Sequence, residues 1–415
     1  MNKKRYCIVG ASSRGYHMYV KCIMSDEFKD HAEIAGIYDI NIGRSEYVSE
    51  RTGIKVYEDF DLMLSRENPD AVIVVTMDAF HSEYAIRAIK AGYDVIVEKP
   101  MCITAKQTYD MLEAEKQTGK KIIVIQNMRY MPYVMGIKQM ITDGIIGDIY
   151  NVHYEWNLVY NGHGTSYFRR WHGIMANSGG LLLTKSCHHF DMANWLINSF
   201  PKKVFANGAL KKYGKNGTIR GKCCRECSHK TECEFYSDMT NDDFVKEFYF
   251  NNEKYDGYIY DGCVFREEID AYDTVNMNIL YENSVTMSYT LNAIAAYEGW
   301  SMKLNGSKGR LEIGSIATGD SVSTSDIVKL YDMQGKLKVI ENPPAPGMHG
   351  GGDSRLLSNI IFGRTDGDPY NQQASSVDGA AAVMIGISGN ESIKTGKIID
   401  VTELLGEQLR TYRNR

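Results

Sequence analysis

Cys224, Cys227 and Cys233 share one polar stretch, KCCRECSHKTEC, and Cys263 follows in DGCVFREEID. The C-x2-C pair is a good chelating unit, and four thiolates complete a closed all-cysteine ligand set that suits zinc or a [4Fe-4S] cluster. Cys223 and His229 are spare donors. Cysteine acting as a small buried hydrophobe does not cluster in a polar loop. The spacing therefore points to a structural metal that pins a segment poor in apolar residues.

Two further groups could move protons. VIVEKPM ends a β-type run on Glu98-Lys99-Pro100. Ligands of open α/β sheets bind beyond the carboxyl ends of the strands, so Lys99 is placed at a crevice. The bland alternative is a surface lysine before a proline turn. In LTKSCHHFDMANWL, Lys185, His188, His189 and Asp191 lie within a few residues at the start of an apolar helical pattern. On a helix His188 and Asp191 face one way, and histidine is the natural proton acceptor near neutral pH.

A nucleotide site would have to serve them. VGASSRG sets Gly10 and Gly15 in a G-x-S-x-x-G frame directly after the first β-type run, with Ser12, Ser13 and Arg14 between them. Glycine is usual at the middle position because backbone must approach a pyrophosphate. Ser12 is small and carries a donor, so the departure is mild. The following helix would offer its N-terminal amides to the phosphates. Asp39 ends the second run, where an acid reads both ribose hydroxyls and repels a 2′-phosphate. The cofactor expected is NAD.

Strand and helix patterns alternate up to about Asn127. RYCIVGA, HAEIAGIYDI, DAVIVVT, DVIVEKP and KKIIVIQN are β-rich runs, with SEYAIRAIKAG and MLEAEKQTG as helices between them. That is the signature of a Rossmann-type, doubly wound parallel sheet. Beyond it, IGDIYNVHYEWNLVY, DTVNMNILYENSVTMSYTLNA and WSMKLNGSKGRLEIG are consecutive strands broken by turn residues. They imply an α+β domain built on a large, mainly antiparallel sheet. The expected division is 1–127 for the nucleotide domain and 128–415 for a substrate and oligomerisation domain, with a cysteine-rich insertion at about 211–265.

At 415 residues, with 43% hydrophobic and 24% charged residues, the chain can bury two cores. A net charge of −5 without a basic block gives no reason to expect nucleic acid. No apolar run spans a bilayer, and the run after MNKKRY is too short for a signal-peptide core. The expectation is a cytoplasmic protein without a membrane partner, where nine cysteines stay reduced.

The joint spacing of EKP after a strand, GG…H-x-x-D and the N-terminal glycine turn resembles the Gfo/Idh/MocA oxidoreductases. HSEYAIRAIKAGYDVIVEKPM, QNMRYMP, YEGWSMKLNGSKGRLEIG and HGGGDSRLL extend the likeness over nearly the whole chain. The resemblance implies that Lys99 and His188 line a substrate site and that NAD carries a hydride. The family's aspartate falls on Thr184, and Lys185 and His189 are the groups at hand to make up for it. The family's TPN…H segment is Thr76-Met77-Asp78 with His81 retained, which puts Thr76, His81 and Glu98 with the cofactor residues. Arg129, Tyr130, Arg169, Arg170, Trp171, His189 and His349 are candidates to hold a polyol. The resemblance implies oxidation of a ring hydroxyl of a sugar or glycoside, at C3 in one form, by a homo-oligomer joined through the C-terminal sheet. A glycoside hydrolase working by transient oxidation and elimination is one alternative, and a non-catalytic NAD-binding regulator another.

Overall fold

The computed structural model describes residues 3–405 apart from 344 and 365. Contacts divide the chain into two units. The first comprises Met1–Ile125, Gly221–Cys263 and Asp353–Gly379; the second comprises Gln126–Arg220, Val264–Gly352 and Ala380–Arg415. The sequence places the cysteine-rich insertion in the second domain, yet residues Gly221–Cys263 pack with the first. Unit membership follows the partners a segment finds, and its aromatic residues find theirs on the first unit's helices.

The first unit is a six-stranded parallel sheet: β1 (Lys4–Val9), β2 (Ala32–Tyr38), β3 (Val56–Tyr57), β4 (Ala71–Val74), β5 (Asp94–Val97) and β6 (Ile122–Val124). Spatial order is β3-β2-β1-β4-β5-β6, the dinucleotide-binding order with its switch point between β1 and β4. Cys7, Ile8 and Val9 of β1, all four residues of β4 and Val95–Val97 of β5 are buried, as strands covered on both faces require. Each such Val or Ile contributes about 1.5–3 kcal/mol. Asn41, Asp59 and Thr104 cap the helices Ile42–Thr52, Phe60–Glu67 and Ala105–Thr118 by accepting a backbone N–H from the first turn.

The second unit carries a nine-stranded sheet: β7 (Ile149–Val159), β8 (Pro201–Ala209), β9 (Thr274–Tyr281), β10 (Thr286–Ala295), β11 (Gly299–Gly306), β12 (Gly309–Ile316), β13 (Asp326–Asp332), β14 (Leu337–Asn342) and β15 (Ile399–Asp400). All neighbours are antiparallel except β7 and β10. Alternation puts Val275, Met277, Ile279 and Tyr281 of β9 with Met287, Tyr289 and Leu291 of β10 on the buried face. The helix Cys187–Ile197 is buried along its entire length.

Candidate functional site

Gly10 closes β1 at φ +106°, and a Cβ there would stand 2.5 Å from the Val75 carbonyl oxygen. Only glycine permits that approach. The donor that Ser12 brings to the turn is used within it. It donates to the Val75 carbonyl (3.2 Å) and accepts the Gly15 N–H (3.0 Å), so it closes the turn from within. The Ser13 N–H reaches the Tyr249 hydroxyl at 3.2 Å. Asp39 follows β2 and accepts the Ala11 N–H (2.6 Å) and the Asn41 N–H (2.7 Å). Arg44 lies between Asp39 (3.2 Å) and Asp256 (2.7 Å), so its charge is outweighed by two carboxylates.

Glu98 is buried just past β5. It accepts from the Arg14 Nε (2.7 Å), the Tyr19 hydroxyl (2.9 Å) and the Lys99 N–H (3.2 Å). Burial alone would raise this carboxyl; Arg14 and Lys99 reverse that and hold it below the ordinary range. Arg14 also forms a bidentate pair with Asp353 (2.7 and 3.0 Å). The arginine expected at the cofactor phosphates is thus committed to two carboxylates. With Lys99, the cluster carries two positive and two negative groups. His81 braces the loops beside it, with Nδ1 2.7 Å from the Pro100 carbonyl oxygen and Nε2 3.1 Å from that of Thr76. Burial pushes this imidazole below its ordinary range, against the pull of the Pro100 carbonyl. A ring held this way braces the two loops.

In the second unit Arg129 is only 1% exposed. It makes a bidentate pair with Asp191 (Nε–Oδ2 and Nη2–Oδ1, both 2.7 Å) that ties the turn Asn127–Tyr130 to the helix Cys187–Ile197. The sequence offers Arg129 to a polyol, but its fork is spent on a buried carboxylate. His189 is likewise a core residue. It stacks on Trp156 (3.9 Å between centroids), and its Nδ1 lies 2.6 Å from the Tyr289 hydroxyl, which donates to Ser186. Lys185 is buried with Nζ 4.8 Å from the centre of the Trp156 ring. His188 is buried with its ring 5.9 Å from that of His349, a residue held at φ +47°. Thr184 is buried at the end of the short helix Leu181–Thr184. Tyr130 and Arg169 are buried, whereas Arg170 and Trp171 are half-buried, with Trp171 stacked on His172 at 3.7 Å.

All nine cysteines are thiols. Backbone bonds gather the four of the insertion. The Cys227 N–H meets the Cys224 carbonyl (3.1 Å) and the Cys233 N–H meets the His229 carbonyl (3.0 Å). Cys223 and Gly262 form a bridge flanked by Cys224 N–H to Asp261 (2.9 Å) and Cys263 N–H to Lys222 (3.1 Å). Burial pushes the Cys233 thiol up; the Phe235 amide opposes this, and Cys224, Cys263 and Cys227 add to the push. Among the described residues, however, no three His, Cys, Asp or Glu side chains stand ready to hold a metal ion.

Sequence reading misses Tyr249, Asp256, Asp353 and Tyr19 as parts of this region. Each meets its partner across 79 or more residues, so no local signal marks it.

Comparison with known proteins agrees with this geometry. Residues 4–126 match the NAD-binding Rossmann fold of an oxidoreductase family, and residues 138–401 match that family's C-terminal alpha/beta domain. YteT of Bacillus subtilis (strain 168) is 32% identical over 98% of this chain and 99% of its own length. The D-glucoside 3-dehydrogenase of Escherichia coli (strain K12) is 27% identical over 35% of this chain and 41% of its own. Among solved structures, the WlbA dehydrogenase from Bordetella pertussis, in complex with NADH and UDP-GlcNAcA, superposes with a TM-score of 0.67 at 19% identity. That superposition covers 96% of this chain and 99% of WlbA. With a glycine turn after β1, an acid after β2 and both domains matched along their length, the chain belongs to the Gfo/Idh/MocA family of NAD-binding oxidoreductases.

Proposed function

We propose that this chain oxidises a ring hydroxyl of a sugar or glycoside, C3 of a glycoside in the most specific form, with NAD as hydride acceptor. The observation that carries this is Lys99. It leaves β5 directly after a buried carboxylate that Arg14, Tyr19 and its own amide fix in place, at the carboxyl end of a sheet of dinucleotide-binding order. Relatives named inositol 2-dehydrogenase and D-glucoside 3-dehydrogenase support a ring CH–OH as the substrate group.

The residues fit NAD. Gly10 and Gly15 let the backbone approach a pyrophosphate, Ser13 lies on the turn and Asp39 stands at the ribose position. Thr76 follows β4 at the nicotinamide side. Arg44 is neutralised by Asp39 and Asp256, which disfavours a 2′-phosphate. NAD, when bound, supplies the acceptor for the hydride. Lys99 donates to the reacting oxygen and stabilises its developing negative charge. His188 takes the hydroxyl proton. Lys185 places a positive charge near that imidazole, where the family's aspartate is replaced by Thr184. Tyr130, Arg169, Arg170, Trp171 and His349 are assigned to the remaining sugar hydroxyls.

Zinc or a [4Fe-4S] cluster is proposed for Cys224, Cys227, Cys233 and Cys263 in a structural role. The C-x2-C pair and the two later cysteines supply the ligand types, and ligation would have to convert them to thiolates and draw them together. Reduced cysteines throughout support a cytoplasmic setting. No described helix is long and apolar enough to cross a membrane. A second copy of the chain is assigned to the outward sheet face, where Asn151, His153, Phe205, Asn278 and Ser288 border a shallow concavity.

Inositols, hexoses and aryl glycosides screened for NADH absorbance test the reaction. Accumulating NADH supports it. Aglycone release without NADH would replace it with glycoside hydrolysis by transient oxidation. Bound NAD with neither product would leave a regulator.

A further inference from the structure

The insertion reaches the ribose acid with a carboxylate of its own. Arg44 lies in the first turn of the helix Ile42–Thr52, five residues after Asp39. Its Nη2 is shared by Asp39 Oδ1 (3.2 Å) and Asp256 Oδ2 (2.7 Å). Burial alone would lower the pKa of this guanidinium; Asp39 and Asp256 outweigh burial and hold it above its ordinary range. Asp39 has other duties, because its two oxygens also accept the Ala11 and Asn41 N–H groups. Of the two carboxylates, Asp256 has the shorter hold on Arg44.

The fold fixes Asp256 for this contact. It ends the helix Glu253–Asp256, just before Gly257 at φ +71°, and its Oδ1 accepts the Tyr258 N–H at 3.1 Å. The segment before it is docked on the nucleotide helix. Asn41 Nδ2 donates to the Asn252 carbonyl (2.9 Å), and Asn252 Nδ2 donates to the carbonyls of Glu247 (3.0 Å) and Phe248 (3.2 Å). The approach is so close that a Cβ on Gly43 would lie 2.1 Å from Asn252 Oδ1 and 2.4 Å from the Tyr255 ring. None of these contacts passes through a cysteine.

A 2′-phosphate would come to the ribose acid, and a planar guanidinium with paired donors is the side chain best suited to bind it. Arg44 is the cation at that place. One guanidinium against two carboxylates leaves one negative charge in excess, and without Asp256 the sum would be zero. We propose that Asp256 is the residue that decides for NAD over NADP: it holds Arg44 away from the position of a 2′-phosphate, so the insertion makes the choice of dinucleotide. This rests on the NAD assignment above and on no metal. Asp256 acts through Arg44 and is a positioning residue for it, while Asp39 is left to bind the ribose hydroxyls. The nucleotide domain thus carries a latent 2′-phosphate site, closed by a residue 212 positions from its arginine.

The test uses the full chain and needs no sugar substrate. NADH and NADPH are each titrated by fluorescence into the native protein, Asp256→Asn, Asp256→Glu, and Asp256→Asn combined with Arg44→Met. The asparagine keeps an acceptor for the Tyr258 N–H and brings no charge to Arg44. In Asp256→Asn the NADPH dissociation constant should fall about tenfold or more, with that for NADH within about twofold of native, and the gain should vanish once Arg44→Met is added. Asp256→Glu restores the charge and should return NADPH binding toward the native value. Equal changes for both cofactors would reduce Asp256 to a structural role and overturn the inference. So would unchanged NADPH binding in an Asp256→Asn protein that binds NADH normally, with the NAD assignment left standing. A gain that persists without Arg44 would also overturn it. Failure of the native chain to bind NADH would overturn the proposed function itself. Should Asp256→Asn not fold, Asp256→Ser is titrated in its place, with the same gain expected.

Discussion

The sequence offers two arginines as ligand-holding groups, Arg14 in the glycine turn and Arg129 in QNMRYMP, and the fold uses them differently. Arg14 keeps 23% of its side chain exposed and is shared by Glu98 and Asp353 at the carboxyl end of the parallel sheet. Arg129 is 1% exposed and has a closed bidentate pairing with Asp191 in the second unit. The first arrangement is open only on the arginine's side: a partly exposed cation, two buried anions and the Lys99 ammonium. It sets the charge of a neighbouring group. The second is sealed and neutral, and it fixes where a helix lies. An arginine that the sequence offers to a ligand thus sets charge in one region and fixes a helix in the other.

The largest expected effect tests whether the open network serves chemistry. Lys99→Met should lower kcat by roughly 10²–10⁴-fold, the range for a lost proton-transfer or charge-stabilising group, while NAD stays bound. Turnover near the unaltered rate, measured by NADH formation, would remove Lys99 from the reaction. Next comes the sealed pair. Arg129→Met leaves Asp191 charged and buried, and should cost about 3–5 kcal/mol of unfolding free energy in urea. Arg14→Met also leaves buried carboxylates, but Lys99 still offsets Glu98, so it should cost less, about 1–3 kcal/mol. If the order is reversed, the open and sealed description is wrong.

A smaller effect sharpens the cofactor side. Asp39→Ala removes the repulsion that a 2′-phosphate meets and should shift the ratio of NAD to NADP dissociation constants by about tenfold toward NADP. An unchanged ratio would mean the ribose is read elsewhere. The smallest is the His81 strut. Its folded imidazole titrates below the usual range, whereas the unfolded one takes a proton at about pH 6.5. The unfolded state therefore binds more protons as pH falls below about 6.5, and stability declines there. Tm followed from about pH 7.5 down to about 5 should fall less steeply in His81→Gln than in the native chain. Parallel curves would refute the assignment.

Much of the first unit is legible because its strands are buried on both faces and its glycine turn is a local signal. VIV before Glu98 and CIVG before Ala11 could hardly be anything else. The two-residue β3 is too short to announce itself. In the second unit, β7 and β9 to β12 show through alternation and turn residues. The half-exposed β13 and β14 have no comparable run. The candidate site is legible by residue type but not by duty. Arg129 looks like a ligand-holding cation until Asp191, 62 residues on, is seen to claim it. His189 stands beside His188 in sequence, but Trp156 and Tyr289 make it core. The four cysteines are visible as a group. The packing of the insertion's Phe244 and Phe248 against Tyr16 and Tyr47 is not, because aromatic contacts between distant segments leave no periodicity behind.

The noncontiguous make-up of the first unit governs how the chain can be born. A ribosome that has released residues 1–127 has delivered every strand of the parallel sheet, but not Asp353 for Arg14, nor Phe248 for Tyr16 and Tyr47. Nor has it delivered the bridge from Ser375 to Ile123 at the β6 edge. The nascent sheet waits with an unpaired edge and bare aromatic rings until Gly379 emerges, and such species are the ones prone to aggregate. Closure of contacts this distant in sequence is slow. Expression of the isolated N-terminal segment should therefore yield insoluble material, and the whole chain should depend on holding factors during synthesis more than its ordinary sheet topology suggests.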